Sequence, residues 1–194
     1  MPSTSTFRIP KAEITGLYGM VLRQVSKRMF AGEIPDSMYV YFHNRPVLRA
    51  VTSFSMKAQR WHTLDRQLAS YAQVLTAGVV GCSWCVDYGY YLAQHEGLDL
   101  AKLREVGRWR ESAVFTPLER AVLEYADAMT QTPLTVTDAM VAGLVDALGA
   151  PAVVELTQVV ALENMYARFN HAAGVSSQGF SDTCEIPQPV ASSS

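Results

Sequence analysis

Cysteine is scarce in this chain of 194 residues, with three in all, and so is charge: Asp, Glu, Lys and Arg make up 18% and nearly cancel, to a formal −2. Three thiols cannot build the disulfide framework of a small secreted domain, and a chain of this length buries a core without one. The near-neutral balance excludes the basic stripe of a nucleic-acid binder and the acidity of a solvated, disordered chain. Long apolar runs are missing as well. The longest weakly polar stretch, 68–82, is broken by Ser70, Tyr71, Gln73 and Thr76, and the start "MPSTSTFRIPK" has no basic segment leading into an apolar one. The expectation is a soluble, cytoplasmic protein whose partners are small molecules or proteins, with no nucleic acid and no membrane. Repeats and low-complexity linkers are absent too. One domain over 11–180 is therefore expected, between a flexible N-terminus at 1–10 and a flexible tail, "SDTCEIPQPVASSS", at 181–194.

Sustained alternation of apolar and polar residues is also lacking, although "SMYVYFHN" suits a short strand by propensity. What is present is helical periodicity. Leu118, Ala121, Val122, Tyr125, Ala126 and Met129 fall on one helical stripe. Thr116, Pro117 and Glu119 mark its start with a capping box. Asp99 reads as an N-cap, and Gly97, Gly149 and Gly174 read as helix stops. The pattern predicts an all-α fold of about eight helices: 11–30, 45–61, 64–80, 82–96, 99–109, 116–129, one ending at Gly149, and one from Pro151 to Gly174.

Two of the three cysteines stand together in "GCSWCVDYGYYLAQ". Gly81 follows one predicted helix and Cys82 opens the next, so a thiolate there faces free backbone amides and the positive end of a helix dipole. Such a setting lowers a thiol pKa from roughly 8.5 toward 7 or below. Cys85 lies one turn on, where its sulfur shares a face with that of Cys82 and the two can cycle between dithiol and disulfide. Two other readings stay open at this point. The pair could be small apolar core residues, or half of a zinc site, for which only Cys184 and four scattered histidines remain as further ligands. The redox reading is preferred, with no metal and no cofactor.

Several segments together resemble the carboxymuconolactone decarboxylase family, and within it the alkyl hydroperoxidase D (AhpD)-like branch. They are "GCSWCVDYGYYLA", "HEGLDLAKLREV", "TPLERAVLEYADAMTQTPLTVTDAMV" and "ALENMYARFNHAAGVSSQGF", within about 45–180. The resemblance implies an AhpD-like helical bundle, homo-oligomers (a trimer or hexamer), and thiol-dependent reduction of hydroperoxides with electrons from a dithiol reductant protein. It also exposes two departures. Peroxidase members of the family carry a glutamate twelve residues before the first cysteine and a histidine four after the second, as a proton relay; here Ser70 and Gly89 occupy those positions. Neither side chain carries protons as a carboxylate or imidazole does.

Asp87 and Tyr88 are the nearest stand-ins in sequence, and Asp87 joins Cys82 and Cys85 as a tentative catalytic residue. The two lines of reasoning differ on the attacking sulfur: helix-end electrostatics favours Cys82, whereas the resemblance implies Cys85. Glu163, Arg168, Asn170 and His171 are candidates for lining a shared pocket, or for pairing locally between helices. His95, near a helix C-terminus, reads as structural, and His43 and His62 belong to no constellation. The leading functional reading is a CxxC-dependent thiol peroxidase or disulfide oxidoreductase. The alternatives are a carboxymuconolactone decarboxylase-like enzyme, against which Gly89 argues, and a redox-sensing helical oligomer without activity.

Overall fold

The computed structural model describes residues 4–30 and 32–181. Among them are nine α-helices, one 3-10 turn at Val106–Arg108 and no strand. In chain order the helices are α1 (Gly16–Met29), α2 (Asp36–Tyr41), α3 (Arg45–Ala58), α4 (Arg66–Val80), α5 (Ser83–His95), α6 (Leu100–Glu105), α7 (Pro117–Thr130), α8 (Asp138–Leu148) and α9 (Ala150–Ala173). None is long and apolar enough to cross a membrane.

Helix α4 is the axis of the fold. Asp65 starts it by accepting the amides of Gln67 and Leu68 at 2.9 and 3.1 Å, and nearly every residue from Leu68 to Ala77 is buried. Its neighbours α5, α7 and α9 pack around it and share one core with it. At its end Gly81 takes φ 81°, a left-handed conformation that favours glycine, and the Cys82 amide closes back onto the Ala77 carbonyl at 2.9 Å. A single glycine therefore separates the central helix from the residue that caps α5.

The junction is tight as well as short. A Cβ at Gly89 of α5 would lie 2.9 Å from Cγ2 of Val74 on α4, so only a hydrogen atom fits there. Helix α7 carries the capping box its sequence announces: Thr116 Oγ1 accepts the Glu119 amide and the Glu119 carboxylate accepts the Thr116 amide at 2.7 Å.

The all-α expectation extends through 37–44, and the N-terminal expectation is corrected. The stretch "SMYVYFHN" lies in α2 and the turn after it, because Val40 and Tyr41 are buried by tertiary packing, which overrides strand propensity. The Tyr41 ring stacks on Phe169 of α9, centroids 3.9 Å apart, and this joins a smaller apolar cluster under α1–α3 to the main core. The N-terminal segment from Thr4 is docked instead of trailing: the amides of Thr6 and Arg8 donate to the carbonyls of Gly174 and Ala173 at 3.0 and 2.9 Å. Gly174, at φ 73°, permits this because a Cβ there would lie 2.6 Å from the Thr6 carbonyl oxygen.

Candidate active site

Cys82 and Cys85 are joined as a disulfide with their Cα atoms 5.3 Å apart. Cys82 is the N-cap of α5, and its Sγ accepts the Cys85 amide at 3.2 Å, so the sulfur occupies the place where a capping oxygen would stand. That arrangement stabilises negative charge on Cys82 whenever the bond opens. Both residues are buried, Cys82 at 2% exposure and Cys85 at 7%. From across the site, Asn170 of α9 directs its Nδ2 at both sulfurs, 3.4 Å from Cys85 Sγ and 3.7 Å from Cys82 Sγ. An N–H donor in this position favours thiolate over thiol at the sulfur it touches.

A strap formed by the chain after α9 runs over α5. The Ser177 amide donates to Ser83 Oγ at 3.2 Å. The Trp84 indole donates to Gln178 Oε1 at 2.8 Å, and the same oxygen accepts the Asp36 amide at 2.7 Å. Phe180 completes a cluster of rings with Phe30, Trp84, Tyr88 and Tyr91.

Asp87 holds this strap. Its Oδ2 accepts from Ser177 Oγ and the amides of Gly179 and Phe180, at 2.7, 2.8 and 3.0 Å. Its Oδ1 accepts from the Ser181 amide and hydroxyl at 2.8 and 2.7 Å. Burial by itself would raise the pKa of this carboxyl. The hydroxyls of Ser181 and Ser177 and the amides of Ser181 and Phe180 outweigh it and hold the pKa below the usual carboxylate value. Five donors fill about four lone-pair sites, so the tentative reading of Asp87 as a proton carrier gives way to a holding role. Ser181, assigned to a flexible tail from sequence, is part of this network; residues 182–194, Cys184 among them, lie outside the described residues.

The other candidates separate clearly. Tyr88 packs its ring against Phe30 and Trp84, with centroids 5.0 and 5.1 Å away, and burial raises the pKa of its phenol. All four histidines are exposed, unlike the sulfurs. His95 bonds the Tyr91 carbonyl at 2.8 Å, a local contact at the end of α5. Ser70 is buried in α4. Arg168 is exposed, with its guanidinium toward the Thr130 carbonyl. Glu163, read from sequence as lining a shared pocket or pairing locally, is buried at 9% exposure with its Oε1 unpartnered. Among the described residues, no cluster of three His, Cys, Asp or Glu could hold a metal ion.

A bundle whose central helix hands over to a helix opened by a buried, bonded CxxC pair defines a class of helical dithiol proteins. Residues 45–128 match the model of the carboxymuconolactone decarboxylase family. YnjA of Escherichia coli (strain K12) is 37% identical over 125 residues, 64% of this chain and 67% of that protein. Among solved structures, the debrominase Bmp8 in a cysteine-to-alanine form with 2,3,4-tribromopyrrole superposes with TM-score 0.77 at 16% identity, over 92% of this chain and 95% of that one. A peroxidase-related protein with an alkylhydroperoxidase AhpD core, from Ralstonia eutropha JMP134, gives TM-score 0.74 at 16% identity, over 89% and 94%. The chain belongs to the carboxymuconolactone decarboxylase family and has its AhpD-like helical fold.

Proposed function

We propose that the chain is a dithiol–disulfide oxidoreductase that reduces hydroperoxides. The carrying observation is the Cys82–Cys85 bond at the start of α5, with the one Asn170 amide of α9 directed at both sulfurs. In this reading the Cys85 thiolate, the less enclosed of the two, attacks the peroxide, the O–O bond breaks, and an alcohol leaves with a proton. Cys85 is then a sulfenic acid. Cys82 displaces its oxygen as water to form the disulfide, and a dithiol reductant protein returns two electrons and two protons. The peroxidase-related description of the Ralstonia eutropha protein supports the substrate class by analogy of fold alone.

The crowding at Gly89, where an added Cβ meets Val74, weighs equally on a decarboxylase dependent on histidine at that position and on the peroxidase relay, so the preference rests on the cysteine pair. The exposed apolar residues Leu17, Met20, Val21 and Val25 of α1 support a homo-oligomer in which that face is covered. The deciding experiment follows peroxide consumption with a dithiol donor in the wild type, Cys82→Ser, Cys85→Ser and the double variant. Loss of turnover in all three, with sulfenic acid trapped on Cys85 in Cys82→Ser, is the expected result. Equal consumption by the wild type and the double variant removes the enzymatic reading and leaves the redox-sensing one.

A further inference from the structure

Four acids are buried among the described residues: Asp36, Asp87, Asp127 and Glu163. Asp36 pairs with Lys11, Asp127 with Arg110, and Asp87 with the strap. Glu163 differs from all three. Its Oε1 is buried without a hydrogen-bond partner, and burial pushes the pKa of the carboxyl up to about 8, so it keeps its proton at neutral pH. Burial is the whole cause, with no charged side chain of α2, α4, α5, α7 or α8 contributing. Tyr166, one turn along α9 and bonded to Ser55 of α3, is the titratable group that faces it, and Tyr41 of α2 faces Tyr166 in turn.

The position of Glu163 gives this unused proton a destination. Leu156, Val160, Glu163, Ala167 and Asn170 recur at alternating steps of four and three residues, so they form one stripe of α9, and all five are buried. Asn170, at one end of the stripe, touches both sulfurs. Glu163 stands two turns before it, about 10 Å along the axis, with only the methyl group of Ala167 between them on the stripe. Among the described residues the other candidates do not serve as a store: Ser70 and Gly89 replace the relay, Asp87 is saturated with donors and the histidines are exposed.

We propose, on the redox reading above, that Glu163 is the proton store of the Cys82–Cys85 pair, placed on the same inward stripe of α9 as the amide that touches the sulfurs. When the Cys85 thiolate attacks a hydroperoxide, an S–O bond forms, the O–O bond breaks, and the departing alkoxide becomes an alcohol with a proton that Glu163 releases and water relays across the roughly 10 Å between them. The carboxylate left behind takes the proton of the Cys82 thiol by the same relay as that sulfur displaces the Cys85 oxygen. The displaced hydroxide combines with the proton that Cys85 released to solvent, and water leaves. Two electrons pass from the sulfurs to the peroxide, and Glu163 ends protonated, as it began.

The test uses the whole chain and reads Glu163 directly. In infrared spectra at neutral pH, ordinary carboxyls are ionised, and the residual carboxylic-acid C=O band is assigned by its loss in Glu163→Gln. Its alkaline midpoint is measured in the disulfide form and in the form reduced with dithiothreitol. A store coupled to the pair shows a midpoint that differs between the two forms by roughly half a unit, a threefold change in proton affinity; the same midpoint in both overturns the proposal. Peroxide oxidation of the wild-type dithiol should weaken above about pH 8, where the store is empty. Glu163→Gln should lose that inflection and react roughly tenfold more slowly at neutral pH, while Glu163→Asp keeps it. If Glu163→Gln does not fold, the wild-type midpoints decide alone. An inactive double-cysteine variant with an unmoved midpoint sinks this inference and spares the peroxidase reading, whereas a moved midpoint with an active double-cysteine variant does the reverse.

Discussion

Asp87 and Glu163 are both acids inside the same bundle, and the protein treats them in opposite ways. Asp87, on the CxxC helix, gathers five donors from one short strap and is held as an anion. Glu163, on α9, has its Oε1 without a hydrogen-bond partner and is held neutral. The contrast shows that burial alone does not decide the charge of a carboxyl: it penalises the anion at both sites, and only at Asp87 is the penalty outweighed. One acid is thereby committed to structure, and the other retains a proton that can be moved.

The largest test of this contrast is the pH dependence of stability in Glu163→Gln. The folded-state pKa of Glu163 is raised, so its contribution is fully present below the unfolded value, about 4.3, and is lost progressively as pH rises toward the folded value of about 8. Urea denaturation should show wild type losing on the order of 4–5 kcal/mol relative to Glu163→Gln across that window and nothing further above it. Parallel curves would mean that Glu163 is ionised in the fold.

Next comes Asp87→Ala, which leaves the strap donors without an acceptor and should cost roughly 3–5 kcal/mol at neutral pH by the same measurement. Its pH dependence carries the opposite sign. Because the folded pKa of Asp87 is depressed, its stabilisation is present above the unfolded value of about 3.9 and is lost as pH falls through the folded value. In the wild type, Trp84 fluorescence should report the loosened strap in acid, since the indole bonds Gln178 and packs on Phe180. A fluorescence signal indifferent to acid and to Asp87→Ala would deny the strap its anchor.

Smaller effects sharpen the same comparison. Gly89→Ala should cost roughly 1–3 kcal/mol from overpacking, and most of that cost should vanish in a Val74→Ala background, because the added Cβ meets Val74 Cγ2. Ser177→Ala removes one of the five donors to Asp87 and should cost about 1 kcal/mol, with no change in the reactivity of the thiols.

How much of this was legible in the sequence depended on distance along the chain. The Thr116–Glu119 box, the Asp99 cap and the stops at Gly97, Gly149 and Gly174 are local signals, and each appears in the fold. The CxxC pair at a helix start was legible for the same reason. The partners of Asp87 were not: they lie about ninety residues away in a segment without periodicity. The burial of Glu163 was hidden differently. Helix α9 is apolar around most of its surface, so that Val154 is 69% exposed while Glu163 is buried, and its sequence does not say which stripe faces inward. The stretch 37–44 suited a strand by propensity alone, and packing against α9 holds its first half in a helix.

The contact between Gly89 and Val74 also bears on how such a site can change over generations. A histidine at 89 would have to force its Cβ against a valine methyl in the central helix. A smaller residue at 74 relieves that contact, and that change alone opens a gap beside the core. The two steps are passable in one order and obstructed in the other. The order of those two changes therefore matters for any design that places an imidazole at 89.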